Sequence, residues 1–186
     1  MLPPYIIETA KVPSSDEEKI GPLFKKHVFS KGHFLIREGT ICKTLFFIDT
    51  GLVRIYRTTD DGNEVTAFFM VEHSFVTAFD SFYKSTPTKY NFVLLEDSVI
   101  YSLQQSDLET MIDKSHALTK FIFHTTYELA ARLTELLANV KFRTAEERYR
   151  NLLRDSPSIF QRVQLSYIAS YLGITPETLS RMRAKK

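Results

Sequence analysis

A chain of 186 residues, 44% hydrophobic and 25% charged, has the balance of a folded globular protein and the length for one large domain or two small ones. No apolar run is long enough to span a bilayer, and the opening MLPPYIIETAK lacks the basic-then-apolar pattern of a secretion signal. A cytoplasmic location with no membrane partner is therefore expected. The net charge of +2 hides an asymmetry: Lys141 to Lys186 holds ten basic and four acidic residues, the rest 14 basic and 18 acidic. A basic tail on an acidic body suits a protein whose tail alone meets a polyanion, although chance clustering on a solvated surface gives the same count.

Residues up to about Leu23 read as a short helical lead-in, with Ser15-Asp16-Glu17-Glu18 placing a cap and acidic residues ahead of Ile20, Leu23 and Phe24. From Val28 the texture changes. Segments rich in Phe, Ile and Val (HFLIR, TLFFI, LVRIY, EVTAFFM), separated by Gly and Asp, predict strands. Asp61-Gly62 predicts a tight primed hairpin turn, and Leu94 to Leu103 reads as two further strands around Glu96-Asp97. Many short strands with regular turns predict an antiparallel roll or sandwich over residues 1–115, lead-in included. Cys42, the one cysteine, cannot form an internal disulfide or hold an iron–sulfur cluster, and is expected as a small packed side chain.

After Ser106 the strand texture stops. Ser106-Asp107 opens a short helix, and a long helical stretch follows from His116 to about Asn139. Within it Ile122, Thr126, Leu129, Leu133, Leu136 and Val140 alternate steps of four and three, the spacing of a coiled-coil seam. The same stripe would serve a helix packed on its own roll. Phe121, Phe123, Ala130 and Leu137 add a second apolar face, and two faces predict two partners: the roll and a second subunit. Residues 116–140 are thus expected to be a dimerisation helix. Thr144-Ala145-Glu146-Glu147 starts another helix, ended near Pro157, with Tyr149, Leu152 and Leu153 as its apolar face.

The sharpest signal lies in VQLSYIASYLGITPETLSRMRAKK, within a third region spanning 141–186. Leu165, Ile168, Ala169 and Leu172 give one short helix an apolar face, and Gly173 breaks it. Thr175-Pro176-Glu177 then restarts a helix with a cap, a residue that has no N–H to lose, and an acid at the positive dipole end. Leu179 and Met182 point back at the first helix, which leaves Glu177, Thr178, Ser180, Arg181 and Lys185 facing out. Two helices, a glycine turn and an outward Arg-bearing face form the pattern of a DNA-reading helix-turn-helix; the bland alternative is a helical hairpin with cations at its last turn.

No glycine-rich phosphate loop and no Ser or Cys in a nucleophile context appears, so an enzyme is not expected. His27, His33, His73, His116 and His124 are scattered without a close pair, so neither a metal nor another cofactor is expected.

Gly32, Gly39 and Gly51, in KGHFLIREGT and FFIDTGLVRIY, stand where the cyclic-nucleotide-binding β-roll family has turn glycines. With the helix-turn-helix behind it, the chain from about residue 20 onward resembles the Crp/Fnr family of bacterial transcription regulators. The resemblance implies an α+β fold: an N-terminal antiparallel β-roll, a long helix on a two-fold dimer axis and a C-terminal helix-turn-helix. It implies double-stranded DNA, a second copy and RNA polymerase as partners. Thr175, Glu177, Thr178, Ser180 and Arg181 are the expected DNA-binding residues, of which Glu177, Ser180 and Arg181 match the family positions that reach base edges. The chain stops at Lys186, so the β-hairpin wing of many members is expected to be missing, with Arg183, Lys185 and Lys186 taking over phosphate contacts.

In members that bind cyclic AMP, a Gly-Glu pair contacts the ribose and an Arg about ten residues later holds the phosphate. Those positions fall here at Thr77-Ala78 and Thr88, and neither supplies the acceptor or the cation. Phe75, Thr77, Phe79, Phe82, Lys84, Thr88, Lys89 and Tyr90 are the candidate effector pocket, either filled or open to an apolar ligand, and cyclic AMP is not the expected effector. Two readings remain: a dimeric transcription regulator, or an adaptor that acts through protein partners and carries a vestigial helix-turn-helix.

Overall fold

The computed structural model describes residues 1–184. Its contacts divide into two compact units: residues 1–55 with 69–127, and residues 56–68 with the chain from 128 onward. The elements run α1 (Pro4–Ala10), α2 (Ser14–Ile20), a 3-10 turn Gly21–Leu23, β1 (Lys25–Phe29), β2 (Phe34–Ile36), β3 (Thr44–Thr50), β4 (Val53–Thr58), β5 (Glu64–Met70), β6 (Phe75–Val76), α3 (Phe79–Lys84), β7 (Asn91–Leu94) and β8 (Ser98–Gln104). Five helices follow: α4 (Gln105–Lys114), α5 (His116–Phe142), α6 (Ala145–Asp155), α7 (Ile159–Arg162), then α8 (Leu165–Leu172) and α9 (Pro176–Ala184). The fold is α+β, as expected. No described helix is long and apolar enough to cross a membrane.

The strands form two four-stranded sheets, ordered β1-β8-β3-β6 and β2-β7-β4-β5. In the first, β8 pairs antiparallel with β1 from Lys25↔Ser102 to Phe29↔Ser98 and with β3 from Thr44↔Gln104 to Thr50↔Val99. Alternation of side chains puts Phe47 and Tyr101 on one face of this sheet and Ile48 and Ile100 on the other. All four are buried, so the sheet is covered on both faces. Phe47, Tyr101 and Leu103 join Leu2, Ile6, Ile20, Met111 and Leu118 in one apolar cluster that helices roof over. The helical lead-in therefore starts earlier than its acidic signal suggested. Leu2 and Ile6, of and before α1, are wholly buried.

Asp16 does more than favour a helix start: its Oδ2 accepts a 2.7 Å hydrogen bond from Ser115 Oγ, tying α2 to the junction of α4 and α5. At Gly51, φ is +117° and a Cβ would stand 2.0 Å from Ser98 Oγ, so only glycine fits between these strands.

In the second unit, the tip of the β4–β5 hairpin is not a two-residue primed turn. Gly62 N–H donates to Thr59 O at 2.9 Å and Thr59 N–H to Asn63 O at 2.8 Å, which closes a three-residue loop with Gly62 alone at positive φ. Ser170 Oγ of α8 holds this hairpin, accepting from Thr66 N–H at 2.9 Å and donating to Glu64 O at 3.2 Å. The unit's own core comprises Tyr149, Ile159, Val163, Ile168, Ala169, Leu172 and Leu179. A capping box starts α6, with Thr144 and Glu147 satisfying each other's backbone N–H groups.

Candidate nucleic-acid interface

The turn between α8 and α9 has the chemistry its sequence implies. Gly173 takes φ +66°, and Ile174 N–H reaches back to Ala169 O at 3.0 Å, the six-to-one bond of a glycine helix stop. Thr175 Oγ1, just before Pro176 opens α9, accepts from Thr178 N–H at 3.2 Å and so caps the helix. Leu179 is wholly buried, which contributes about 2 kcal/mol to seating α9 on its unit.

Glu177, Ser180 and Arg181 lie on one exposed face of α9, at spacings of three and four. Arg183 is also exposed, whereas Thr178 and Met182 are half-buried and turn toward α6. Lys185 and Lys186 lie outside the described residues. The Glu177 carboxyl is held below its ordinary value by its own backbone N–H first, then by the Thr175 hydroxyl, with a smaller pull from Arg181. An anion is thus presented beside a cation on the exposed face of α9.

Sequence reasoning missed Arg148. Its Nη1 donates to Arg143 O just past the end of α5, and its Nη2 to Leu172 O at the last turn of α8, both at 2.9 Å. The guanidinium thereby satisfies carbonyls that helix ends leave open, and it braces the glycine turn against the start of α6. The partner carbonyl at 172 is 24 residues away, and no local pattern announces such a bond.

On α5 the expected seam splits. Ile122 packs half-buried on the roll's helical core, and Leu136 lines a cleft with Leu152 and Leu172. Leu129 is half-buried too. Thr126, Leu133 and Val140 are exposed, and so are Phe123, Ala130 and Leu137. Those six residues alternate steps of three and four, which makes a heptad stripe one residue away from the expected one. Ile122, Leu129 and Leu136 are thus the half-buried members of the expected seam, and Thr126, Leu133 and Val140 its exposed ones.

The candidate effector residues do not converge. Phe75 packs edge-on against Phe47 and Phe121, at ring distances of 5.1 and 6.2 Å, within the helical core. Phe79, Lys84 and Lys89 are exposed, and Phe82 and Tyr90 are half-buried. Thr77 Oγ1 donates to Thr44 O at 3.0 Å. Buried Thr88 donates to Asp80 Oδ1 at 3.3 Å and accepts from Tyr90 N–H at 3.2 Å. Ser81, also buried, accepts from Cys42 N–H at 2.7 Å. The polar atoms of this segment are spent on its own fold. Among the described residues no three His, Cys, Asp or Glu side chains cluster as metal ligands.

Residues 26–115 match the family model of the cyclic nucleotide-binding domain. The Anaerobic regulatory protein of Bacillus subtilis (strain 168) is 24% identical over 128 residues, 67% of this chain; the match spans about half, 54%, of that relative. The c-di-GMP-responsive global regulator CLP of Xanthomonas campestris superposes with a TM-score of 0.72 at 17% identity, over 93% of this chain and 91% of its own. A regulator of the Crp/Fnr family from Eubacterium rectale gives 0.70 at 15% identity, over 95% of this chain and 83% of its own.

Proposed function

The chain has the fold and element order of the Crp/Fnr-type regulators, and we propose that it is a homodimeric, sequence-specific DNA-binding transcription regulator. The observation that carries this reading is the α8–Gly173–α9 arrangement, a capped helix seated by buried Leu179 with Glu177, Ser180 and Arg181 on its open face. A helix about 10–12 Å across fits the major groove, and Arg suits guanine O6 and N7 while ionised Glu accepts from cytosine N4. The charge asymmetry agrees, since the polyanion would meet the basic region.

Assembly would run through the exposed α5 stripe of Phe123, Thr126, Ala130, Leu133, Leu137 and Val140, with a second copy as occupant. Leu137 and Val140 are 58% and 64% exposed on one chain, and a two-fold pairing would bury them along heptad spacing. The roll segment 77–91 lacks a fixed cation for a buried phosphate, so the DNA-competent state would not depend on cyclic AMP. Selection of bound duplexes from random DNA, followed by salt titration of the winners, tests the reading. A consensus with two half-sites about one helical turn apart is the expected result. Absence of any salt-dependent duplex binding would favour the adaptor reading instead.

A further inference from the structure

We propose that the groove between α6 and α9 seats one backbone phosphate of bound DNA, with Arg150 as its cation and Glu146 as the stand-in anion before DNA arrives. The inference rests on the DNA-binding reading above and adds a contact outside the helix-turn-helix. The groove holds about 490 Å³. That is many times the ~30 Å³ share of a water molecule, so it is open rather than packed. Tyr149 and Met182 line its base, and Glu146, Arg150, Thr178 and Arg181 supply its polar edges. Two guanidinium groups and one carboxylate line it, and the Glu177 carboxyl neighbours Arg181 on the open face of α9, which leaves Arg150 as the cation free to change partner.

Arg150 Nη2 donates to Glu146 Oε1 at 2.6 Å, one turn away on α6, and the two side chains are 72% and 56% exposed. An exposed pair of this kind is weak, and it engages one of five guanidinium N–H groups. A phosphate is a better partner, because its oxygens accept two parallel N–H bonds and its arrival releases condensed counterions. The position suits this exchange. A helix filling a groove about 12 Å wide brings what lies beside it level with the phosphate wall, and α6 lines the side of this cleft opposite Thr178 and Arg181.

The test uses the full chain with Arg150→Ala, Glu146→Gln and the pair combined, on a selected operator and on an unrelated duplex. Arg150→Ala is expected to weaken binding about tenfold on both duplexes and to flatten the log–log salt slope by about one. Glu146→Gln is expected to tighten binding severalfold, an effect that disappears in the combined variant because the freed cation is gone. Both substituted positions are exposed, and unchanged melting confirms that the three variants fold. Unchanged affinity and slope for Arg150→Ala, with wild-type binding intact, overturns the phosphate seat alone. Failure of the wild type to bind any duplex overturns the seat and the DNA reading together.

Discussion

Two polar segments, residues 77–91 in the roll and 175–183 in the basic region, carry the candidate effector residues and the candidate DNA-binding residues. They treat their side chains in opposite ways. In the first, Thr77, Ser81 and Thr88 are buried and bonded to Thr44, Cys42 and Asp80. In the second, Glu177, Ser180, Arg181 and Arg183 stand exposed, while the hydroxyl of Thr175 caps α9 and holds the Glu177 carboxyl. A polar group already satisfied by its own chain gains little from a ligand, whereas an exposed one exchanges water for a partner. On that contrast the proposed recognition belongs to the basic region, while the buried polar groups of the roll segment serve its own fold.

The largest way to break this arrangement is to remove the second copy proposed to pair through α5. Leu133→Asp with Leu137→Asp puts two carboxylates on the exposed stripe of α5 without touching its half-buried side. We expect a folded monomer by light scattering. DNA affinity should fall about a hundredfold or more, because two linked half-site contacts become one. A dimer that survives both changes would send the interface back to Leu129 and Leu136.

Arg181→Ala tests the exposed segment itself. A good Arg–guanine pair discriminates by about 1–3 kcal/mol, so preference for the selected operator over a single-base variant should shrink roughly five- to 150-fold at that position. Thr88→Val, at the matching place in the roll, should leave operator preference untouched. Equal loss on all duplexes for Arg181→Ala would reassign that residue to the phosphate backbone.

Ser81→Ala probes the inward-turned segment, since it strands the Cys42 N–H in a buried site. The expected cost is about 1–3 kcal/mol, visible as a melting temperature lower by several degrees, with operator preference retained. A neutral outcome would mean that water reaches Cys42 N and that the segment is looser than its burial indicates.

How much of this was legible in the sequence follows from the range of the interaction. Thr175-Pro176-Glu177 and Gly173 encode their geometry locally, so the turn and the cap were readable. So were strands β3, β4 and β8, whose runs of Phe, Ile, Val and Leu lie between turn residues. Strand β1 was not, because His27 is half-buried while Val28 is 76% exposed, the reverse of what hydrophobicity predicts. Helix α1 escaped because Pro3-Pro4 offers no capping side chain, and its stability comes from Leu2 and Ile6 entering a distant core. The two registers on α5 share Thr126, Leu133 and Val140, and only the packing of Ile122 and Leu136 separates them. Arg148 and Asp16 depend on partners far along the chain, which no window of neighbouring residues contains.

A smaller effect should appear with pH. Hydrogen bonds from the Thr144 backbone N–H and then its hydroxyl hold the Glu147 carboxyl below its ordinary 4.5. A carboxylate whose folded value is depressed stabilises fully above its unfolded value and loses that contribution as pH falls through the folded one. The start of α6 should therefore loosen only below about pH 4.5, and Glu147→Gln should remove that part of the acid dependence. Amide exchange at Thr144, whose N–H donates to Glu147, is the readout, and an acid transition in α6 that persists in Glu147→Gln would exclude the capping box as its source.

The smallest expected effect is none at all, from cyclic nucleotides. Their phosphate is a permanent anion, and burying it requires a fixed, hydrogen-bonded countercharge. Thr88 stands where the resembled family has its Arg, and its hydroxyl is already donated to Asp80, itself an acid that would repel the phosphate. Lys84 and Lys89 are exposed and would lose rotamer freedom to serve. A ligand shifts an equilibrium only by its difference in affinity between the two states, so one that barely binds cannot switch DNA binding. Cyclic AMP or cyclic GMP up to about the millimolar range should therefore leave both melting temperature and operator affinity unchanged, with DNA binding present in their absence. A micromolar dissociation constant by calorimetry would show instead that the 77–91 segment opens, exchanging its internal bonds for a phosphate held by Lys84 or Lys89.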